Sequence, residues 1–238
     1  MRRCSMCFGA LLILASLSGC GNPPPPDLPP NEIVRRAGRA MLDQRSLHFK
    51  IDIGGGPVTI NPALGLSLRS AEGDFVRPDR MGVHLKILRV PAAIEADMIA
   101  LGDEQFLTNF LTRQWEPLPP EFGFNPAVMF HPSFGLEKTL EGGLDDASVV
   151  GVESIDGAQA YHVQGRVEGS RLQGMSGGLI GASPIDVEVW VDAQTFVVLR
   201  TTLVDGSFHP DQPSTWTLVF SSFGKPVTIE KPALPPSD

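Results

Sequence analysis

The 238-residue chain is 42% hydrophobic and 19% charged, which suffices for one or two domains with a buried core. Its formal charge of -8 offers no basic face, which argues against a protein that tracks a phosphate backbone. With 25 glycines and 22 prolines, turns are too frequent for a helical bundle, and many short strands are expected instead.

The N-terminus is laid out as an export signal: Met1-Arg2-Arg3 is positive, residues 8–17 are apolar, and Ser18-Gly19-Cys20 ends the run with small residues. The run is about ten residues, half of the roughly 20 that span a bilayer as a helix. Leu17-Ser18-Gly19-Cys20 also resembles the bacterial lipobox. That resemblance implies that residues 1–19 are a lipoprotein signal peptide and that Cys20 is lipidated. The chain would then be anchored on the extracytoplasmic face of the cell membrane, with about 0.8 kcal/mol gained per buried methylene. Loss of Arg2 and Arg3 with the signal takes the formal charge from -8 to -10. Cys4 and Cys7 leave with it, so no cysteine pair remains and packing alone must hold the fold.

Residues 20–30 follow as a linker, with Pro23 to Pro26 in a row and then Pro29-Pro30. At about 3.1 Å per residue an extended spacer of this length lifts the domain roughly 30 Å from the membrane. Asn31 is the expected cap of a helix whose apolar positions are Ile33, Val34, Ala37, Ala40 and Met41.

From Ser46 the period becomes two. Leu47, Phe49, Ile51 and Ile53 oppose His48, Lys50 and Asp52. The same alternation recurs around Val83-His84-Leu85, Tyr161-His162-Val163, Ile185 to Val191, Val197 to Leu203 and Trp216 to Phe220. Weaker strands are expected at 66–75, 94–101, 105–111 and 148–155. About ten strands with one apolar and one polar face predict a single antiparallel sheet with one solvated side. Three segments besides the first helix could cover the apolar side: one opening at Asn125-Pro126, residues 133–140, and the glycine-broken residues 170–181. Their apolar residues fit either a packed core or an adaptable lid.

Gly174-Met175-Ser176-Gly177-Gly178 matches the nucleophile pattern G-x-S-x-G, but neither an apolar strand before it nor an alternating strand and helix pattern supports an elbow. His48, His84, His131, His162 and His209 have no metal-ligand spacing, and Gly54-Gly55-Gly56 precedes Pro57 rather than a helix. Neither an enzyme, a cofactor nor a metal is expected.

Four strings carry a family resemblance: Ser46-Leu47-His48-Phe49, the Tyr161-His162-Val163-Gln164-Gly165 that follows Gly157, Pro184-Ile185-Asp186-Val187-Glu188-Val189-Trp190-Val191-Asp192, and Gly224-Lys225-Pro226-Val227-Thr228-Ile229. Together they resemble the mycobacterial LppX/LprG-type lipoproteins over residues 31–232, leaving 233–238 as a tail. The resemblance implies an α+β fold similar to LolA and LolB, a curved antiparallel half-barrel with helices covering its concave apolar face. It implies an envelope lipoprotein that binds acylated lipid or glycolipid in an apolar cavity, for transport or presentation. The cavity residues expected from placement are Met98, Phe106, Phe110, Val128, Met129, Phe130, Leu136, Leu140, Met175 and Leu179. Loop 117–126 and segment 170–181 depart from the family, so the ligand's identity does not carry over. The alternative function is an envelope sensor or assembly factor that uses the same fold to bind a protein or lipoprotein partner, an envelope transporter among them.

Overall fold

The alternation that begins at Ser46 builds one large sheet, seen in a computed structural model that describes residues 28–118 and 125–236. The signal segment, Cys20 and most of the proline spacer lie outside the described residues. The first half of the chain contributes β1 (Ser46–Gly55), β2 (Val58–Asn61), β3 (Leu66–Val76), β4 (Arg80–Arg89), β5 (Ala92–Leu101), β6 (Glu104–Thr108) and β7 (Trp115–Pro117). The second half contributes β8 (Asp145–Ile155), β9 (Ala158–Val167), β10 (Ile185–Asp192), β11 (Val198–Asp205) and β12 (Ser214–Ser221). The order is β7-β6-β5-β4-β3-β1-β12-β11-β10-β9-β8, with β2 paired to β3, so the sheet is two meanders joined where β1 meets β12. It is curved, antiparallel and unclosed, as expected; β2 and β7 are the strands too short to show in the sequence pattern.

The inner face is set by register. Leu47, Phe49, Ile51 and Ile53 stand beside Phe220, Leu218 and Trp216 on one flank and Phe75 and Ala71 on the other, all buried. Each large apolar side chain removed from water in this way contributes about 1.5–3 kcal/mol. In β11 a bulge opposite Trp190 and Val191 shifts the alternation, so Val198, Thr201 and Leu203 take the inner positions.

Four short helical pieces cover this face: α1 (Pro30–Leu42), a 3-10 helix (Pro126–Phe130), α2 (Leu136–Glu141) and α3 (Ser170–Gln173). The apolar stripe of α1, with Ile33, Val34, Ala37 and Met41 buried, faces inward as its spacing predicts. Its cap differs from the expectation. Pro29 is the N-cap, and the Asn31 side chain instead donates to the Leu144 carbonyl at 3.0 Å and accepts from the Leu144 N–H at 2.8 Å. A helix that opens on Pro30 needs fewer capped N–H groups, which releases Asn31 to tie α1 to the start of β8.

Arg77, in the turn after β3, joins the cover to the sheet. It donates to the carbonyls of Gln44 (2.9 Å), Phe130 (2.9 Å) and Met41 (3.2 Å) and to the Glu137 carboxylate (2.6 Å), and it lies over the Phe75 ring. Glu137 is fully buried, and burial, only partly offset by Arg77, pushes its carboxyl above the ordinary range.

Removing Arg77 strands a buried carboxylate, so Arg77→Ala should cost about 3–5 kcal/mol in urea unfolding. Because the folded state holds the Glu137 proton more tightly than the unfolded state, this group favours folding below the usual carboxyl range. That contribution is lost as pH rises from about 4.5 through the raised folded value. Glu137→Gln should remove this part of the pH slope while keeping the fold; unfolding midpoints of both proteins across that range test it.

Candidate functional site

The cover is uneven. α1 packs over β8, β9, β10 and β11 and against α2, whereas the 3-10 helix reaches across to β4. On the inner face of the first meander, register builds two rows, Leu68-Ile87-Ile94 and Ala71-Leu85-Ala96, across β3, β4 and β5. The next row runs Gly73-Val83-Met98-Leu107 into β6. Leu68, Leu85 and Leu107 are half-buried, as are Met129 of the 3-10 helix and Leu118 beyond β7, and all pack against the core. Alanine and glycine at Ala71, Ala96 and Gly73 keep the middle of this face low. An apolar strip with small residues at its centre and flexible Met129 and Met98 at its margin can accept an acyl chain.

Of the residues expected to line the cavity, Met98, Phe130, Leu136, Leu140 and Met175 are buried inner-side residues of one continuous core, with Leu179 and Met129 packed against it and Val128 half-buried beside them. Phe130 stacks on Phe75 with ring centroids 4.5 Å apart and closes against Phe49 and Phe220. In this structure these side chains meet one another. Two depressions among the described residues are open grooves. One of about 550 Å³ lies on the outer face along Gln164, Arg166, Asp186 and Glu188, and one of about 170 Å³ lies by Leu107, Phe110 and Leu118.

Two expected residues belong elsewhere. Phe106 pairs with Ile99, not Met98, which puts it on the outer face, where the C-terminal tail buries it. The Lys231 ammonium lies 5.1 Å from its ring centre and 2.8 Å from Glu104, and Arg80 holds the Ile229 carbonyl at 3.3 Å. Phe110 is exposed on the loop between β6 and β7. The adjacent pair Phe106-Leu107 hides the parity of a five-residue strand, and only pairing with β5 decides it. The same pairing turns Gln105 inward, a residue the alternation alone did not single out; it is buried and its side-chain oxygen has no partner among the described residues.

Ser176 of the G-x-S-x-G match is buried, donates to the Gln173 carbonyl at 3.1 Å and accepts from the Ile180 N–H at 3.1 Å. Its hydroxyl closes a turn after α3, not a strand-to-helix elbow. The strand histidines face outward onto carboxylates: His48 on Asp74 at 2.9 Å, His84 on Asp97 at 2.7 Å, and His162 between Glu153 at 2.7 Å and Glu188 at 2.9 Å. The Trp190 N–H, and then His162, hold the Glu153 carboxyl below its ordinary range.

The fold is thus a curved, unclosed antiparallel sheet with a short helical cover over an apolar inner face. The profile of the LppX_LprAFG lipoprotein family matches residues 29–229, and the chain belongs to that family. It is 22% identical over 214 residues to the lipoarabinomannan carrier protein LprG of Mycolicibacterium smegmatis, covering 84% of this chain and 82% of that one. Its fold is similar to the crystal structure of LprF from Mycobacterium bovis, with TM-score 0.67, 15% identity, and 85% and 96% of the two chains covered. It is also similar to Mycobacterium tuberculosis LppX, with TM-score 0.60, 18% identity, and 84% and 97% covered.

The inward and outward assignments of two neighbouring strands are separable. Phe106→Ala should release the tail and expose the peptide at Ile229 to thermolysin, whereas Met98→Ala should cost about 2–5 kcal/mol of stability and leave tail cleavage unchanged. Equal tail cleavage in both variants would contradict the register.

Proposed function

We propose that this chain is an envelope lipoprotein, anchored through Cys20 on the extracytoplasmic face of the cell membrane, that binds acylated lipid or glycolipid against the inner face of its sheet. The observation that carries the reading is the half-covered strip of Leu68, Leu85, Leu107, Leu118 and Met129, contiguous with the buried core. Membership in a lipoprotein family that includes a lipoarabinomannan carrier supports it.

The mechanism is partition. Acyl chains leave water for an apolar surface at about 25 cal/mol per Å², and the 3-10 helix and α2 shift outward to admit them. Beside the apolar packing of Phe130, Leu136 and Leu140, a few polar ties fix the cover, Arg77 to Glu137, Asn31 to Leu144 and the Asn125 amide to the Gly102 carbonyl at 2.7 Å, and it is built of separate short pieces. The outer face, with its cross-strand pairs of histidine and carboxylate, stays in water.

Native mass spectrometry with organic extraction tests this directly, and a bound diacyl or triacyl species is expected. Leu85→Glu and Leu107→Glu place a charge on the strip and should abolish uptake of a fluorescent diacyl lipid. Lys86→Glu, on the exposed outer face of the same strand, makes a larger charge change and should leave uptake intact. An empty protein that takes up no added lipid would overturn the reading in favour of a protein partner.

A further inference from the structure

Most of the exposed large apolar side chains of the described residues gather at one end of the sheet. Ile60 and Leu64 lie in the hairpin from β2 to β3, Val90 at the turn from β4 to β5, Phe110 and Leu111 in the loop from β6 to β7, and Phe208 in the loop from β11 to β12. The pairings point these loops the same way along the sheet: Ser67 with Leu88 and Arg89 with Ala92 at the tip of the first meander, and Met98 with Leu107 lower on it, from where the loop after β6 runs up to set Arg113 on the Glu95 carbonyl. Asp52 with Ser70, Gly55 with Ser214, and Asp205 with Ser214 carry the same end across to the second. Val90 is 89% exposed and Leu111 80% exposed, values that an isolated water-facing loop gives no reason to keep.

The chain enters the domain at this same end. Asn31 is bonded to Leu144, which leads into β8, and Asp145 of β8 pairs with Arg166 near the end of β9. From there Val167 meets Ile185, Asp186 meets Val204, and Asp205 meets Ser214. Only ten residues separate Asn31 from Cys20, a spacer of roughly 30 Å when extended. Arg69 and Arg89 are exposed toward this end of the first meander and form no salt bridge among the described residues.

From this coincidence we infer that the end of the sheet bearing Leu64, Val90, Phe110 and Leu111 docks into a lipid bilayer, the loop tips passing the headgroups while Arg89 meets phosphate. A short tether and a set of apolar tips act as two linked contacts, each raising the effective concentration of the other. Docked this way, the half-covered strip of the first meander opens toward the bilayer. The inference goes beyond lipid binding and can fail independently of it.

The test uses the mature acylated chain in vesicles of phosphatidylethanolamine and phosphatidylglycerol, with single cysteines carrying a polarity-sensitive fluorophore at Val90, Leu111 or, at the opposite end in the turn from β8 to β9, Asp156. Blue-shifted emission and quenching by brominated acyl chains are expected at Val90 and Leu111 and not at Asp156. A Val90→Asp, Leu111→Asp double variant read by a probe at Leu64 should lose the shift while keeping lipid uptake. Water-like emission at Val90 and Leu111 would overturn the inference, as would equal shifts at all three sites. A shift that appears only in vesicles containing other envelope proteins would overturn it in favour of a protein partner.

Discussion

Arg77 ties together the end of α1, the turn after it, the 3-10 helix and α2. Its guanidinium donates to carbonyls at and just beyond the end of α1 and to the last carbonyl of the 3-10 helix, where a cation is favoured, and it neutralises a carboxylate that α2 buries completely. Lysine could not do this, because one ammonium lacks the planar fork needed to reach carbonyls on separate elements. The short helices of the cover have little stability of their own, four to six residues for two of them, and depend on such ties to hold a fixed place.

Given that fixed cover, the two meanders become unequal. The second is sealed by α1, whose Gly38 lies so close to α2 that a β-carbon there would come within 2.6 Å of the Glu137 carbonyl oxygen. The first keeps its apolar rows half open. A sheet face left partly uncovered is costly in water, and a protein retains one where something else is to be placed on it. The C-terminal tail, through Ile229 and Lys231, covers the outer side of the same strands, Phe106 among them, so the opening is confined to one side.

Much of this was legible in the sequence because a period of two over eight or more residues is hard to mistake. β1, β10 and β12 carry it without interruption. The interior of the candidate site was less legible, since it depends on pairing. Whether Phe106 or Leu107 points inward is decided by β5, and whether Thr201 does is decided by a bulge opposite Trp190. The helical segments were placed correctly in outline, but their polar ties were not foreseeable: Asn31 looks like a cap until Pro30 takes the first turn, and Arg77 and Glu137 are 60 residues apart.

The polar character of these ties bears on how such a cover can move. An apolar seam of equal area would lose its whole transfer free energy on opening, about 25 cal/mol for every Å² returned to water. A buried ion pair behaves differently, because the hydration each charge regains on exposure offsets much of the Coulomb attraction that is lost. Arg77 and Glu137 thus fix where the cover sits far more than they resist its lifting. Glu137 reinforces this, since one of its oxygens is buried without a partner among the described residues and gains outright from reaching water. The polar ties thus set the register in which the cover closes, while the cost of lifting it comes from the apolar contacts of Phe130, Leu136 and Leu140 with the core.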